Sequence, residues 1–246
     1  MRTLILGIPL PHVTFDNYSF LSAPSLFDYD RMVVEMSALS DVVEEVVRGS
    51  QEHHTFGGQT VVNGPSGPGA FSLAELLRLR RLEAERLLTR GGLVVCFAYP
   101  DIPHEGIEGL PGWRRYDWLP APEGFSYAEH LIAGYGKLGV DIAECEHSFA
   151  PYVEEFGARL AFHAYVLEQE EGLRQDRRVF ARSPGGAAVG VEMAVGPGHI
   201  VLLPPIGGLD YSRDRAPLAN VLHNCLERLQ ENETEQRPEC IRKEAS

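Results

Sequence analysis

FSLAELLRLRRLEAERLLTRGGLVVCFAYPD, residues 71–101, is the stretch that decides the fold of this chain. Its first part places apolar residues at helical spacing and begins with a capping-box pattern, Ser72 followed by Glu75. A glycine pair beginning at Gly91 ends the helix, because glycine adopts the left-handed conformation that closes a last turn. The run LVVCFA is apolar without alternation, which is typical of a strand covered on both faces. The stretch therefore predicts a helix and a central strand of an α/β sheet.

Segments on either side repeat this alternation of strand and helix. Residues 3–8 and 31–37 predict two further strands, and 189–195 and 199–203, separated by Gly-Pro-Gly, predict an antiparallel hairpin. The pattern indicates an α/β fold with a mostly parallel, doubly wound (flavodoxin-like) sheet, helices on both faces and an antiparallel C-terminal hairpin. The remaining predictions are a connection over 9–29, helices over 38–48, 147–157 and 218–229, a hairpin within 49–70, an edge strand or helix near 128–134, a short apolar piece near 139–145, and strands over 161–167 and 179–182.

Composition limits the domain organisation and the class of partner. We expect one α/β domain over 1–230, with a Pro- and aromatic-rich insertion at about 99–127 and a polar, disordered tail over 231–246. The net charge of −13, without a basic block, argues against nucleic-acid binding. No apolar run reaches the ~18 residues that would span a membrane. The four cysteines lack metal or redox spacing, so we expect reduced thiols in a cytoplasmic protein.

Three segments carry a resemblance to a known family. They are YDRMVV at 29–34, LLTRGGLVV at 87–95 and GPGHIVLLPP at 196–205. In their order along the chain they resemble the class I glutamine amidotransferase-like superfamily, and most nearly its non-catalytic ThuA-like and intraflagellar-transport N-terminal-type branches. The resemblance implies a flavodoxin-like fold. The resemblance does not imply an amidotransferase activity, because none of the three segments is a catalytic signature.

Cys96 is the one cysteine on the type of strand that carries the nucleophile in the catalytic members of that superfamily. There the cysteine lies on a tight strand-to-helix elbow between glycines, whereas here Val94 and Ala98 stand two residues away on either side. His163, Glu192 and His199 do not follow Cys96 in the family's triad pattern. A nucleophilic cysteine must be exposed and have a lowered pKa. We therefore interpret Cys96 as a core residue.

The loops that follow the strands are the expected place for a ligand, since open α/β sheets bind ligands beyond the carboxyl ends of their strands. Asp101, His104 and Glu105 offer metal-ligand or general-base chemistry, and the alternative is that they cap a Pro-rich loop. We predict no bound metal and no cofactor. The candidate ligand-binding residues in these loops are His12, Asp16, Asn17, Tyr99, Asp101, His104 and Glu105.

Three further residues are candidates on other grounds. Arg80 interrupts the apolar face of the first helix, either as a snorkelling side chain or as the partner of a buried carboxylate or an anionic ligand. Tyr116 and Trp118, with Trp113 nearby, either form the floor of a binding pocket, anchor a partner or hold a long loop against the domain. The 99–127 segment is therefore also a candidate docking surface.

Two functions from different classes follow. The first is a non-enzymatic amidotransferase-like domain that acts as a ligand-binding or protein-interaction module for an unknown protein or small molecule. The alternative is a small-molecule hydrolase or lyase that uses Asp101 and His104.

Overall fold

The structure is a computed structural model, and it describes residues 2–39, 51–54, 60–63, 68–101, 114–168 and 177–236. Two 3-10 turns, Leu26–Asp28 and Gly157–Arg159, join longer elements. The helices are α1 (Pro68–Thr89), α2 (Tyr127–His130), α3 (Ala150–Phe156) and α4 (Arg215–Gln236). The strands are β1 (Thr3–Leu6), β2 (Phe15–Tyr18), β3 (Arg31–Glu35), β4 (Gln51–His54), β5 (Thr60–Asn63), β6 (Leu93–Phe97), β7 (Leu131–Leu138), β8 (Asp141–Ile142), β9 (Ala161–Val166), β10 (Arg177–Arg182), β11 (Ala188–Val195) and β12 (Gly198–Leu203).

The central sheet is parallel over five adjacent strands in the order β2-β1-β3-β6-β12. Numbered along the chain, these strands have the order 2-1-3-4-5 of flavodoxin-like sheets. Antiparallel strands continue from β12 through β11, β10 and β8, and β9 joins β11 to β7. The predicted fold class, including the antiparallel β11–β12 hairpin, is confirmed. The hairpin predicted within 49–70 is the separate β4–β5 pair.

Helices cover both faces of the sheet. Helix α1 packs on one face through Leu77, Ala84, Leu87 and Leu88, which join a core with Val94 and other side chains of the sheet. Helices α3 and α4 pack on the opposite face and form a second core. Strand β6 lies between these cores and is buried at every residue, as its unbroken apolar run predicted.

Several boundaries differ from the sequence predictions. Helix α1 begins at Pro68, so Ser72 lies inside the helix and is not its N-cap. Proline is favourable in a first helical turn because its fixed φ suits the helix and its missing N–H has no partner there. Helix α4 continues to Gln236, past the start of the expected tail. The predicted 38–48 helix lies outside the described residues except for its first two residues, and so do residues 237–246.

The 9–29 connection contains a strand that the sequence prediction missed. Strand β2 pairs in parallel with β1, and Thr3 stands opposite Phe15. The chain therefore leaves the carboxyl end of β1 and returns to its amino end before β2 begins. Within the described ranges, no helix combines the length and the apolarity needed to cross a membrane.

Candidate functional site

A cavity of about 130 Å³ opens at the carboxyl ends of the parallel strands. It lies beside β1 and β3, where the strand order reverses and where sheets of this type bind ligands. We call it the carboxyl-edge pocket. Its lining residues come from the ends of β1, β3, β6 and β12 and from the start of α4, and they are Ile8, Glu35, Ser37, Phe97, Tyr99, Pro205, Ile206, Leu209, Tyr211 and Leu218.

Gly7 allows the chain to turn between β1 and the pocket. Its φ of +82° is a conformation that side chains with a Cβ rarely adopt. A Cβ built on Gly7 would lie 2.5 Å from the Cβ of Ala38 and 3.2 Å from the carbonyl oxygen of Glu35. Glycine at this position therefore lets the ends of β1 and β3 approach each other closely.

Glu35 provides the carboxylate of the pocket wall. Its Oε1 accepts hydrogen bonds from the backbone N–H of Ser37 at 3.3 Å and from Ser37 Oγ at 2.9 Å. The hydroxyl of Tyr99 also hydrogen-bonds to this carboxylate. Burial raises the pKa of Glu35, while these hydrogen bonds and the charge of Arg115 oppose that rise. Neutral donors on Ser37 and Tyr99 thus hold the Glu35 carboxylate in a partly buried position.

Tyr99 extends this polar wall from the end of β6. Its ring stacks on His163 with centroids 4.6 Å apart, and the guanidinium carbon of Arg115 lies 5.6 Å from its centroid. Burial and then the neighbouring Glu35 raise the pKa of the Tyr99 hydroxyl well above its ordinary value, so it stays protonated as a donor. Burial, followed by the charge of Arg115, lowers the pKa of His163. Contacts with His163 and Arg115 therefore hold the ring that carries the Tyr99 hydroxyl.

Tyr116 and Trp118 lie in the core behind the pocket. The Tyr116 hydroxyl donates to the carbonyl oxygen of Tyr99 at 2.8 Å and accepts from the Tyr99 N–H at 3.2 Å. The ring of Tyr116 stacks on Tyr127 at 4.5 Å, and Trp118 packs edge-on against Phe20 at 5.4 Å. Both side chains are almost completely buried. They hold the segment after residue 114 against the domain, while Trp113 lies outside the described residues.

Of the other candidates between residues 96 and 105, Cys96 lies in the core and Asp101 lies in the loop that follows β6. Cys96 is fully buried in β6, and burial together with the charge of Glu35 raises the pKa of its thiol well above the ordinary value. The carboxyl group of Asp101 is almost fully buried and lies 3.4 Å from Nη1 of Arg114. Burial raises the pKa of Asp101 in spite of that cation. His104 and Glu105 lie outside the described residues.

Three candidates do not lie at the pocket, although they were expected at the carboxyl edge. The ring of His12 lies before β2 at the amino edge and stacks on His223 of α4, with centroids 4.1 Å apart. Asp16 pairs with Arg2 at 2.7 Å. Asn17 secures the preceding loop, because its amide accepts from the Leu10 N–H at 2.7 Å and donates to the Leu10 carbonyl at 2.9 Å. Their expected position was wrong because β2 runs parallel to β1.

Arg80 connects helix α1 to residues 23–24 of the segment between β2 and β3. Its guanidinium donates to the carbonyl oxygens of Ala23 and Pro24 at 2.5 Å and 2.9 Å, and it pairs with Glu83 at 2.7 Å. Its side chain is only 5% exposed. Of the sequence alternatives, the structure shows the pairing with a carboxylate, which comes from the same helix.

A second polar cluster lies on the antiparallel side of the sheet. Glu192 of β11 contacts Nε2 of His147 through Oε2 at 2.7 Å and Nδ1 of His199 through Oε1 at 2.8 Å. The backbone N–H of Phe149 donates to Nδ1 of His147, so the His147 proton resides on Nε2 and points to Glu192. Burial would raise the pKa of Glu192, but both histidines outweigh it and lower that pKa to about 2. We call His147, Glu192 and His199 the histidine–glutamate cluster.

Sequence reasoning identified Tyr99 but missed Glu35, Ser37 and Tyr211. Glu35 is the last residue of an otherwise apolar strand, and that position was the available signal for it. Among the residues that the structure describes, no group of three or more His, Cys, Asp or Glu side chains is arranged to hold a metal ion.

Comparisons with known proteins show similarity only to solved structures. No family model matches the chain, and no curated protein does. A Thermoplasma acidophilum protein provisionally described as part of a GMP synthase has 9% identity and a TM-score of 0.42, with 96% of this chain and 98% of that chain covered. The Salmonella typhimurium protein STM3548, described as cytoplasmic, has 11% identity and a TM-score of 0.42, with 92% and 98% covered.

Proposed function

We propose that this chain is a non-enzymatic domain that binds a small molecule in the carboxyl-edge pocket. The observation that carries the proposal is a cavity of about 130 Å³ at the point where the strand order reverses, with one polar wall formed by Glu35, Ser37 and Tyr99. Ligand sites are typically apolar concavities with a few converging polar groups. The assignment to a non-catalytic amidotransferase-like branch, ThuA-like or intraflagellar-transport N-terminal-type, and a cytoplasmic location belong to the same proposal.

The size of the pocket limits the ligand. A buried cavity of about 150 Å³ in another protein holds benzene, so a cavity of about 130 Å³ encloses a group of about six non-hydrogen atoms. The lining side chains of Ile8, Phe97, Ile206, Leu209 and Leu218 favour a compact hydrocarbon part. The ligand we propose is accordingly small and amphiphilic.

The environments of Cys96 and Asp101 support a non-enzymatic role. A buried thiol with a raised pKa is a poor nucleophile. The Asp101 carboxyl group packs against Arg114 within the loop and does not line the pocket, which gives no support to the hydrolase or lyase that uses Asp101 and His104. The burial of Tyr116 and Trp118 likewise favours a structural role over partner docking.

Native thiol labelling tests the absence of a reactive cysteine. With iodoacetamide and peptide mass mapping, we expect alkylation of exposed Cys145 in the folded protein and none of Cys96 or Cys225, both of which are buried. Denatured protein provides the positive control for all three sites. Rapid, stoichiometric labelling of Cys96 in the folded protein would contradict a non-catalytic site.

Binding is tested with three ligands that share a cyclopentyl ring and differ in the charge of the polar group: cyclopentanol, cyclopentylamine and cyclopentanecarboxylate. At least one should bind wild-type protein with a Kd of about 1 mM or tighter, and the largest backbone amide NMR shifts should fall at Ser37, Tyr99 and Leu209. Leu209→Trp should abolish these shifts, because the indole would fill the cavity that Leu209 lines. The proposal is wrong if none of the three binds, or if Leu209→Trp binds them like wild type.

A further inference from the structure

The polar wall of the carboxyl-edge pocket presents Glu35, a carboxylate that forms no ion pair within the described part of the chain. Glu35 accepts from Ser37 N–H, Ser37 Oγ and the Tyr99 hydroxyl, and it forms no ion pair with any residue in the described ranges. Arg115 acts on it through its charge, while Nη1 of that arginine donates to the carbonyl oxygen of Pro100 at 2.6 Å. A poorly solvated carboxylate without a counterion is energetically costly. A cationic ligand would relieve that cost, and a neutral ligand would not.

The hydroxyl groups beside Glu35 match the same ligand chemistry. Ser37 Oγ donates its proton to the carboxylate, and the Tyr99 hydroxyl hydrogen-bonds to it as well. A hydroxyl whose proton is committed in this way retains lone pairs that accept hydrogen bonds. The wall therefore combines one carboxylate with two hydroxyl oxygens, and a primary ammonium carries three donors for groups of this kind.

The other side of the cavity suits an aliphatic group. Phe97, Ile206 and Leu209 provide apolar surface, and the half-exposed Tyr211 also lines the cavity. An aromatic face attracts a cation, so Tyr211 favours the entry of an ammonium group. An anionic ligand would meet Glu35 without a compensating cation and is disfavoured.

We propose that the ligand of the carboxyl-edge pocket is a small primary amine, whose ammonium group binds Glu35, Ser37 and Tyr99 and whose hydrocarbon part packs against Phe97, Ile206 and Leu209. This inference rests on the proposed function and specifies its ligand class. It involves no covalent step.

Isothermal titration calorimetry with the same three cyclopentyl ligands tests the inference. Cyclopentylamine should bind wild-type protein about tenfold tighter than cyclopentanol, and cyclopentanecarboxylate should bind weakest. Glu35→Gln should weaken amine binding about tenfold and leave the alcohol within about twofold, because the amide keeps the size of the side chain and removes its charge. Glu154→Gln, at an exposed position on α3, is the matched control and should change neither affinity.

A second variant keeps the test decisive if Glu35→Gln does not fold. Ser37→Ala removes one acceptor and should weaken the amine about fivefold, with little effect on the alcohol. The amine inference is overturned if the alcohol or the carboxylate binds as tightly as the amine, or if the variants bind the amine like wild type. In both cases the pocket still binds a ligand, so the proposed function remains. Failure of all three ligands to bind wild-type protein would instead reject the proposed function itself.

Discussion

Glu192 and Glu35 lie on the same sheet in opposite electrostatic settings. In the histidine–glutamate cluster, Glu192 is 6% exposed, both of its oxygens contact imidazoles, and its pKa is lowered to about 2. In the carboxyl-edge pocket, the hydrogen-bond donors that the described residues direct at Glu35 are neutral, and burial raises its pKa although the charge of Arg115 opposes that rise. Folding therefore lowers the pKa of one glutamate and raises the pKa of the other.

This contrast separates a stabilising role from a binding role. A carboxylate that is fully paired within the protein contributes to stability and has little left to offer a ligand. A partly buried carboxylate without a counterion lowers stability, and such groups tend to occur at functional sites. The contrast supports the proposal that Glu192 maintains the fold and that Glu35 binds the ligand.

Substitution of Glu192 should have the largest effect on stability. We expect Glu192→Gln to lower the free energy of unfolding at neutral pH by about 3 kcal/mol, which corresponds to the lowering of the Glu192 pKa in the folded state. Urea unfolding of wild type and variant provides the measurement. Glu154→Gln serves as the control, and a loss for Glu192→Gln no larger than that of the control would remove the stabilising role.

The pH dependence of stability should have opposite signs at the two sites. The folded-state pKa of Glu192 is below its ordinary value. Its contribution to the free energy of unfolding is therefore present above about pH 4.5 and is lost as the pH falls towards 2. The folded-state pKa of Glu35 is raised. The contribution of Glu35 to the free energy of unfolding is therefore present below the ordinary pKa of glutamate and is lost as the pH rises through the folded-state pKa.

Urea titrations at several pH values measure these two contributions. The stability difference between wild type and Glu192→Gln should grow as the pH rises from about 2 to 5. The difference between wild type and Glu35→Gln should instead shrink or reverse as the pH rises. If both stability differences changed with pH in the same direction, the two glutamates would not have opposite electrostatic settings.

Ser37→Ala should have a smaller effect. The variant removes the 2.9 Å hydrogen bond from Ser37 Oγ to Glu35 and should lower the free energy of unfolding by about 1 kcal/mol. In the Glu35→Gln background the same change should cost less, because the hydrogen bond then has a neutral acceptor. A double-mutant cycle without measurable coupling would show that Ser37 does not hold Glu35.

Local patterns made most of the fold predictable from the sequence. The unbroken apolar run of β6 reflects burial on both faces, and the alternation around the Gly-Pro-Gly turn identified the β11–β12 hairpin. Strands β11 and β12 are also buried on both faces over most of their length, which the alternation did not indicate. Strand β2 was missed because its sequence FDNY is short, and its last two residues are exposed at the edge of the sheet. That omission also placed His12 and Asp16 at the wrong edge.

The candidate site could be predicted only in part. The rule for strand carboxyl ends selected Tyr99 and the loops whose first residues line the carboxyl-edge pocket, because the rule depends on topology. Glu35 was not selected, since one acidic residue at the end of an apolar run does not distinguish a pocket wall from a strand end. The contact between His147 and Glu192 joins residues 45 positions apart, and no periodicity in the sequence indicates such a pairing.

A paired measurement of stability and binding on Glu35→Gln tests the central claim most directly. The variant should be at least as stable as wild type at neutral pH, because burial raises the pKa of Glu35 and so disfavours its charged form. The same variant should bind cyclopentylamine about tenfold more weakly than wild type. A variant that is less stable and binds the amine unchanged would show that Glu35 supports the fold and that the carboxyl-edge pocket is not the binding site.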